Sequence, residues 1–282
     1  MADAITVATA TKNDLIISMV QKELAFKAKL LPFVSDFSAF AAKGMKTIQV
    51  PRLSSFTASN RAFGVAGDAT ALSDSIDEIA LDQNAYVAYV IDESDVIQSS
   101  IDWRIASAER AAASHARKID LLVLSTLNTV ASLNINAGVP ADITVDDILA
   151  MREHIQSNEG ELENTVLVIG PLQEKAMLLL PEFSRQDYYG NSNIPTGMIG
   201  RVYGVPVCVH TGVAGKQCYM FEKSGLGFAF QKGIEMSEQP ANEFGANSVR
   251  TAIDALYGIG GLQLGEKAVL ATESPLVAKL EN

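Results

Sequence analysis

A long stretch without helix-breaking residues constrains the fold of this chain more than any other feature. From Asp92 to Ala137 the sequence contains neither glycine nor proline, the two residues least compatible with a helix interior. Apolar or small side chains recur there at steps of three or four, the spacing of one helix face: Ile97, Ile101, Ile105, Ala108, Ala112, His115, Ile119, Leu122, Thr126 and Val130. The pattern predicts a helix from Asp92 to about Leu133, which would be roughly 60 Å long at about 1.5 Å per residue.

A helix of this length cannot be enclosed by one compact domain, because typical globular helices have only about 11–12 residues. The sequence therefore predicts a flat or elongated subunit with this helix as its spine. A break near Ser125–Asn128 would instead divide the stretch into two ordinary helices, and this alternative stays open. The small residues Ala111–Ser114 and the lack of sustained heptads argue against a coiled coil.

Two strands are predicted before the spine. The first begins at Met45 and contains Pro51, which restricts it to a sheet edge or an isolated ribbon. The second runs from about Ser75 to Ile91, with apolar residues on one side. The connection from Ser54 to Asp74 is rich in Ser, Ala, Gly and Thr, and a connection of that length is typical of a functional loop. Together the two strands predict a long ribbon that needs another surface to cover it, since isolated ribbons are only marginally stable.

Residues 142–223 alternate predicted helix and strand. Thr144 is placed to cap a helix, residues 165–169 form a continuous apolar strand of the buried type, and the helix that follows ends before Pro181. The pattern predicts a compact α/β unit, with a tight turn at residues 204–206. Later strands are expected to pack back on the spine: Gly225–Phe230, Ser248–Ile253 and Ala268–Ala271.

Charge and composition exclude several classes of protein. The net charge is −11, from 22 basic and 33 acidic residues, which argues against nucleic acid as a direct ligand because such binding depends on basic residues that displace counterions. No apolar run approaches the roughly 20 residues needed to cross a membrane, and no secretory signal opens the chain. Cys208 and Cys218 are expected to be buried and reduced, with a disulfide between them as the alternative.

Candidate catalytic and ligand-binding motifs are weak. None of His115, His154 and His210 has a ligand-like neighbour three or four residues away, so no metal site is predicted. The segment Gly212–Gln217 resembles the end of a phosphate loop but lacks the Ser or Thr that such a loop needs after its lysine. It is therefore interpreted as a hairpin turn.

Two further motifs receive structural interpretations. The segment Gly258–Leu262 has Gln263 where a dinucleotide fingerprint needs its third glycine, and we interpret it as a strand bulge or bend. Cys208 and His210 would share one strand face, so a reactive pair is one interpretation and a buried, inert cysteine is the other. No catalytic residue, cofactor or metal is predicted.

The order of these parts resembles the major capsid protein family of tailed bacteriophages, whose fold also forms the floor of herpesvirus capsids and the shell of encapsulins. The segments Val166–Pro171, before a Leu-rich helix, and Gly200–Val207 are similar to recurring family phrases. The resemblance implies an α+β fold in five parts: an N-terminal arm (1–44), an extended loop built as a two-stranded ribbon (45–91), a peripheral domain with the spine helix (92–141), an α/β axial domain (142–223), and the returning peripheral strands with the C-terminus (224–282).

The resemblance also implies a function. A member of this family is a structural protein, not an enzyme, that self-assembles through pentamers and hexamers into an icosahedral phage head around double-stranded DNA. It would be synthesised in the host bacterial cytoplasm and reside in the virion, with no cofactor and no membrane contact. Intersubunit contacts are expected at six residues: Arg52, Phe56, Arg61, Phe63, Tyr188 and Tyr189. The alternatives are an encapsulin-like compartment and a cytosolic α/β enzyme with a site near residues 165–212.

Two departures from the family pattern carry expectations of their own. Only 44 residues precede the ribbon, so scaffolding is expected from a separate protein, unless the chain is a processed product. Portal and decoration proteins are the other partners that the family implies. Some members join their subunits covalently through a loop lysine, but no lysine lies between Lys46 and Lys118. A non-covalent shell is therefore predicted.

Overall fold

The computed structural model describes residues 28–53, 74–92, 103–135, 141–180, 200–241, 248–263 and 274–280, together with residues 60, 63 and 243–244. The helices are α1 (Trp103–Val130), α2 (Val145–Ser157) and α3 (Pro171–Leu179). The strands are β1 (Ser35–Asp36), β2 (Thr47–Leu53), β3 (Asp74–Ala80), β4 (Gln83–Ile91), β5 (Ala131–Ile135), β6 (Thr165–Ile169), β7 (Arg201–Val202), β8 (Val205–Val209), β9 (Cys218–Glu222), β10 (Leu226–Pro240), β11 (Val249–Gly261) and β12 (Ser274–Leu280). Short 3₁₀ turns occupy Leu31–Phe33, Ser38–Phe40, Leu162–Asn164 and Lys223–Gly225.

The predicted spine is helix α1, a single element of 28 residues. It is continuous through Ser125–Asn128, so the alternative of two shorter helices is wrong. The predicted end near Leu133 is also wrong, because the chain leaves the helix after Val130 and enters β5 at once. Strand β5 pairs with β12 from the far end of the chain, and this pairing overrides the local helical pattern. Residues 93–102, where the helix was predicted to begin, lie outside the described residues.

The buried face of α1 follows the predicted stripe. Its members from Ala108 to Val130 are buried or half-buried, whereas Ile105 is exposed. Small side chains at Ala111, Ala112 and Ala116 are also buried and let the helix lie close to the strands beneath it. Helix α1 contacts β4 and β11 of one sheet and β12 of another, so it joins two different sheets.

The first of these sheets has four strands in the order β1-β10-β11-β4, antiparallel except for the parallel pair β1–β10. The edge strand β4 belongs to this sheet and not to the ribbon, where it was predicted. The segment expected to form one long strand from Ser75 to Ile91 is divided at Leu81–Asp82: β3 pairs with β2, whereas β4 pairs with β11. The two-stranded ribbon is therefore limited to β2 and β3, and residues 83–91 belong to the four-stranded sheet.

The second sheet has six strands in the order β5-β12-β9-β6-β8-β7. Four of them come from the predicted α/β unit, and β6 is fully buried as expected. The other two, β5 and β12, come from outside residues 142–223. The final strand β12, which was not predicted, lies inside this sheet between β5 and β9 and also contacts α1. The predicted strand Ala268–Ala271 lies outside the described residues.

Local signals placed the elements of this α/β unit well. The Thr144 hydroxyl accepts a hydrogen bond from the backbone N–H of Asp147 (3.2 Å), and the Asp147 carboxylate accepts one from the backbone N–H of Thr144 (2.9 Å). This capping box fixes the start of α2. The turn between β7 and β8 is made by Tyr203 and Gly204, both with positive φ, one residue earlier than predicted.

Three apolar cores hold the fold together. The first lies around α1, the second between α2 and the six-stranded sheet, and the third at the base of the ribbon. Cys208 packs against the first core and Cys218 lies in the second. Strand β6 separates the strands that carry them and both cysteines are free, which removes the disulfide alternative.

Candidate functional site

A buried carboxylate anchors the end of the N-terminal arm to the spine. Asp120 lies on α1 and is 1% exposed. Its Oδ2 accepts the backbone N–H of Lys29 and its Oδ1 accepts that of Leu30, both at 3.1 Å. His210 Nε2, at the end of β8, lies 3.2 Å from the same Oδ2. One side chain therefore joins the arm, the spine and the six-stranded sheet; we call Asp120, His210, Lys29 and Leu30 the arm anchor.

The hydrogen bonds define the protonation of His210. Its Nδ1 accepts the backbone N–H of Gly212 at 3.0 Å, so Nε2 carries the proton and donates it to Asp120. Both ring nitrogens are then occupied. Burial also raises the pKa of the Cys208 thiol, which keeps that thiol protonated. The interpretation of Cys208 and His210 as a reactive pair is therefore unsupported, because the histidine has no nitrogen left to act as a base.

Two further contacts strengthen the arm anchor. The Lys29 ammonium donates to the Val209 carbonyl at 3.3 Å, and Ala28 and Leu30 are buried in the first core. No sequence motif predicted this site. The available signal was an acidic residue directly after Ile119 in the apolar stripe of the spine, where an unpaired charge would be costly.

The ribbon lies directly over a glycine-containing part of β11. A Cβ atom at Gly258 would lie 1.9 Å from the Ala80 carbonyl oxygen, and one at Gly260 would lie 2.7 Å from that of Glu78. The absence of side chains therefore allows β3 to rest on the backbone of β11. Of the predicted bulge or bend at Gly258–Leu262, the bulge is wrong, since the pairing with β10 is regular from Gly258 to Gly261; the glycines serve a close approach between two strands.

Polar contacts stabilise the ribbon near the end from which its loop leaves. The Arg52 guanidinium lies 3.5 Å from Asp77 Oδ2 and donates to the Ser75 hydroxyl at 3.0 Å. Asp77, itself buried, also accepts the backbone N–H of Gln263 at 2.7 Å. Arg52, predicted as an intersubunit contact, therefore stabilises its own ribbon in the isolated chain, and its role between subunits stays a prediction.

An apolar groove opens beside the ribbon. It has a volume of about 670 Å³ and lies between the Phe37–Phe40 turn, Met45 and strand β2. Phe40 is 66% exposed, and an exposed phenylalanine beside an apolar groove is typical of a surface that another molecule covers. Of the other predicted contact residues, Phe63 is fully exposed, and four lie outside the described residues: Phe56, Arg61, Tyr188 and Tyr189.

The loops at the top of the α/β unit are tied together by Gln173. Its buried Oε1 accepts the backbone N–H of Ile143 at 2.8 Å, and its Nε2 donates to the carbonyls of Ala141 and Lys216. The Lys216 ammonium pairs with Asp142 at 2.8 Å. Lys216, the lysine of the phosphate-loop-like segment, thus forms an ion pair between two loops. The segment is a turn as predicted, although it is not a hairpin, because β8 and β9 are not paired.

Neither a metal site nor a membrane helix is found in the part of the chain that the structure describes. No group of three or more His, Cys, Asp and Glu side chains there could hold a metal ion. None of the described helices is long and apolar enough to cross a membrane.

Comparison with known proteins gives a consistent result. The family model described as "Phage capsid protein" matches residues 41–255. A structure from Mycobacterium phage Che8 superposes with a TM-score of 0.69 at 16% identity, covering 89% of this chain and 90% of that one. The capsid of cyanophage P-SCSP1u gives 0.69 at 14% identity, with coverages of 90% and 88%. A virus-like particle from Pyrococcus furiosus gives 0.60 at 10% identity, with coverages of 96% and 99%. Comparison with curated proteins gives no match.

Proposed function

The chain belongs to the phage capsid protein family, and from this membership we propose that it is the major capsid protein of a tailed bacteriophage. In this role it self-assembles through pentamers and hexamers into an icosahedral head that encloses double-stranded DNA. The family match carries the proposal, because it spans the ribbon, the spine and most of both sheets. The same membership supports a structural role rather than an enzymatic one.

The geometry of the subunit supports assembly through its extremities. The ribbon and its loop carry the fully exposed Phe63, and the groove beside the ribbon exposes Phe40. Such apolar surface is costly in an isolated soluble protein and is typical of an interface. The proposed contacts on the extended loop are Arg52, Phe56, Arg61 and Phe63, and those near the symmetry axis are Tyr188 and Tyr189.

The spine and its contacts would hold these extremities at fixed separations. Helix α1 joins the two sheets, the arm anchor holds the arm to α1, and the glycines of β11 seat the ribbon. Identical subunits, each with its arm and ribbon held in place and with exposed apolar side chains, can then make similar contacts in pentamers and hexamers. We assign residues 45–91 to the extended loop, which here includes β4, the strand that leads from the ribbon into the four-stranded sheet. We assign residues 142–223 to the axial domain.

The proposal includes partners and a location. A separate scaffolding protein and a portal would be required to build and fill the head, and a decoration protein is a further partner. The protein would be made in the host bacterial cytoplasm and reside in the virion.

Particle size tests the proposal directly. Purified protein, alone or co-expressed with its scaffolding protein, is expected to form closed shells tens of nanometres across in electron microscopy and light scattering. A small oligomer under both conditions would contradict the proposal and favour the α/β enzyme alternative. Particles purified from their native source should contain double-stranded DNA. A protein cargo in place of DNA would favour the encapsulin-like alternative.

Loop variants test the assigned contacts. Replacing residues 54–73 by a short flexible linker is expected to abolish shell formation while leaving a folded subunit. The substitution Phe63→Ser should also weaken assembly. Phe244→Ser, at another exposed phenylalanine, is the matched control and should leave assembly unchanged. Equal effects of the two substitutions would mean that general surface hydrophobicity, and not the loop, drives assembly.

A further inference from the structure

The exposed face of the spine is positively charged, although the chain as a whole is acidic. Arg110, Arg117 and Lys118 are exposed on α1, and so are Ser114, between them in sequence, and Leu121, one helical turn after Arg117. We call these five residues the spine face. The helix contains only two acidic residues, Glu109 and Asp120, and Asp120 is buried in the arm anchor. In a chain with a net charge of −11, this is a local excess of positive charge.

The three cations of the spine face lie together on one helix, whereas other unpaired exposed cations such as Lys43, Lys175 and Arg201 are scattered over different elements. Lys216 pairs with Asp142, Lys232 pairs with Glu235 and Asp254, and Arg250 donates to the Tyr86 hydroxyl. Among the described residues, by contrast, Arg110, Arg117 and Lys118 have neither an ion pair nor a hydrogen bond from their side chains. Their charge is therefore available to an external partner.

The arrangement of these charges suits an extended polyanion. Arg110 and Arg117 are two helical turns apart, roughly 10 Å along the axis at about 1.5 Å per residue. Duplex DNA presents one negative charge per about 1.7 Å of its axis. Because phosphates are spaced so closely, a row of cations can contact them wherever the helix lies along the duplex. Leu121 is the single apolar member of the spine face, which makes this face unlike the apolar groove beside the ribbon.

We propose that the spine face contacts the phosphate backbone of the packaged double-stranded DNA and that it therefore faces the interior of the shell. The inference rests on the proposed function, which supplies the DNA. It revises the expectation drawn from net charge, because acidity of the whole chain does not prevent one cationic face from binding phosphate. The contact is independent of sequence, since phosphate contacts carry no base information. It is weak for one subunit and is multiplied by the many copies in a shell.

Salt dependence of DNA binding is the first test. The variant Arg110→Gln, Arg117→Gln, Lys118→Gln is compared with wild type on a fluorescent 30-base-pair duplex, using unassembled subunits over a range of salt concentrations. The slope of log affinity against log salt should fall by up to about 0.9 for each phosphate contact removed. The matched control is Lys43→Gln, Lys175→Gln, Arg201→Gln, which removes the same charge from exposed positions elsewhere. Equal slopes in the two variants would overturn the proposal, because net charge alone would then explain the binding.

Cross-linking in filled heads is the second test. Ser114→Cys places a thiol inside the spine face, and a photoactivatable reagent attached there is expected to form adducts with DNA. Wild-type heads treated in the same way control for reaction at Cys208 and Cys218. Adducts with protein alone would overturn the proposal, since the face would then bind an acidic scaffolding protein or a neighbouring subunit.

Shell formation separates failure of this inference from failure of the proposed function. The triple spine variant is expected to form shells of normal size that lose DNA contact. Wild-type protein that forms no shells would refute the proposed function, whereas Ser114→Cys heads of normal size that form no DNA adducts would refute only the inference about the spine face.

Discussion

At the scale of single residues, Asp120 shows how one buried charge can organise three parts of a fold. A carboxylate inside an apolar stripe is costly unless its oxygens are satisfied, and here two backbone N–H groups and the His210 ring satisfy it. Because the partners lie about ninety residues away on either side of Asp120 in the sequence, no local pattern could reveal them. The residue is therefore predicted to be structural.

Asp120→Asn should loosen the arm anchor. An amide keeps one acceptor but loses the negative charge shared by two backbone donors and the His210 ring, and a hydrogen bond to a charged group typically contributes about 1.5–3 kcal/mol. Urea unfolding of the unassembled subunit should show this loss, and hydrogen exchange should show faster exchange at Lys29 and Leu30. The exposed Asp82→Asn variant provides the control. Protected amides together with unchanged stability in Asp120→Asn would show that the carboxylate is not the anchor.

His115 should make the subunit sensitive to mild acid. Burial lowers the pKa of His115 in the folded chain below its usual value near 6.5. Between the folded and unfolded pKa values the unfolded state binds more protons, so the free energy of unfolding decreases as pH falls below about 6.5. His115→Leu removes this contribution and should flatten the dependence between pH 5 and 8. Burial lowers the pKa of His154 as well, so part of the slope should persist; an unchanged slope would exclude His115 as a source.

At the scale of elements, the sequence predicted what depends on neighbours in the chain. The buried stripe of α1, the capping box at Thr144 and the alternation in β3 and β4 are local patterns, and the structure contains them. What it could not predict is the choice of partners. Alternation continues unbroken through Leu81–Asp82, so nothing local shows that β3 and β4 pair with different strands. The helix end at Val130 likewise depends on β12, which follows much later in the chain.

Gly258→Ala should displace β3 of the ribbon from the backbone of β11. The added methyl group would lie 1.9 Å from the Ala80 carbonyl oxygen, and neither backbone can move without disturbing its own pairing. Overpacking of this kind costs typically about 1–3 kcal/mol. Gly233→Ala, whose methyl group would have no neighbour within 4 Å, is the matched control. We expect reduced stability and defective shells only for Gly258→Ala, as measured by urea unfolding and electron microscopy; normal behaviour would show that β3 is free to shift.

At the scale of the whole molecule, composition was informative about class but not about surfaces. The net charge of −11 is an average, and it conceals the cationic spine face because that face depends on which side of α1 is buried. The candidate contact residues show a similar limit. Arg52 was predicted as an intersubunit contact, but the fold places Asp77 and Ser75 of its own ribbon beside it. The class of protein could therefore be predicted from composition, whereas the roles of surface residues could be assigned only from the fold.

The assembled shell should be held together without covalent bonds. Ribbon and loop contain no lysine, since none lies between Lys46 and Lys118, so a loop lysine cannot form an isopeptide bond. Cys218 is buried and Cys208 packs against the first core, which leaves no exposed thiol pair for a disulfide between subunits. Shells boiled in detergent, with or without reducing agent, should therefore run on a gel as monomers.

Shells treated with a lysine-reactive bifunctional reagent provide the positive control for that gel, because they should show the ladder of multimers that a covalent shell would give. The same ladder in untreated shells would contradict the prediction. The particle's stability would instead come from many weak contacts made together, since each subunit is held by several neighbours and cannot leave until all of them release it. Denaturant should accordingly dissolve the shell in a steep transition that moves to lower concentration in the Phe63→Ser variant.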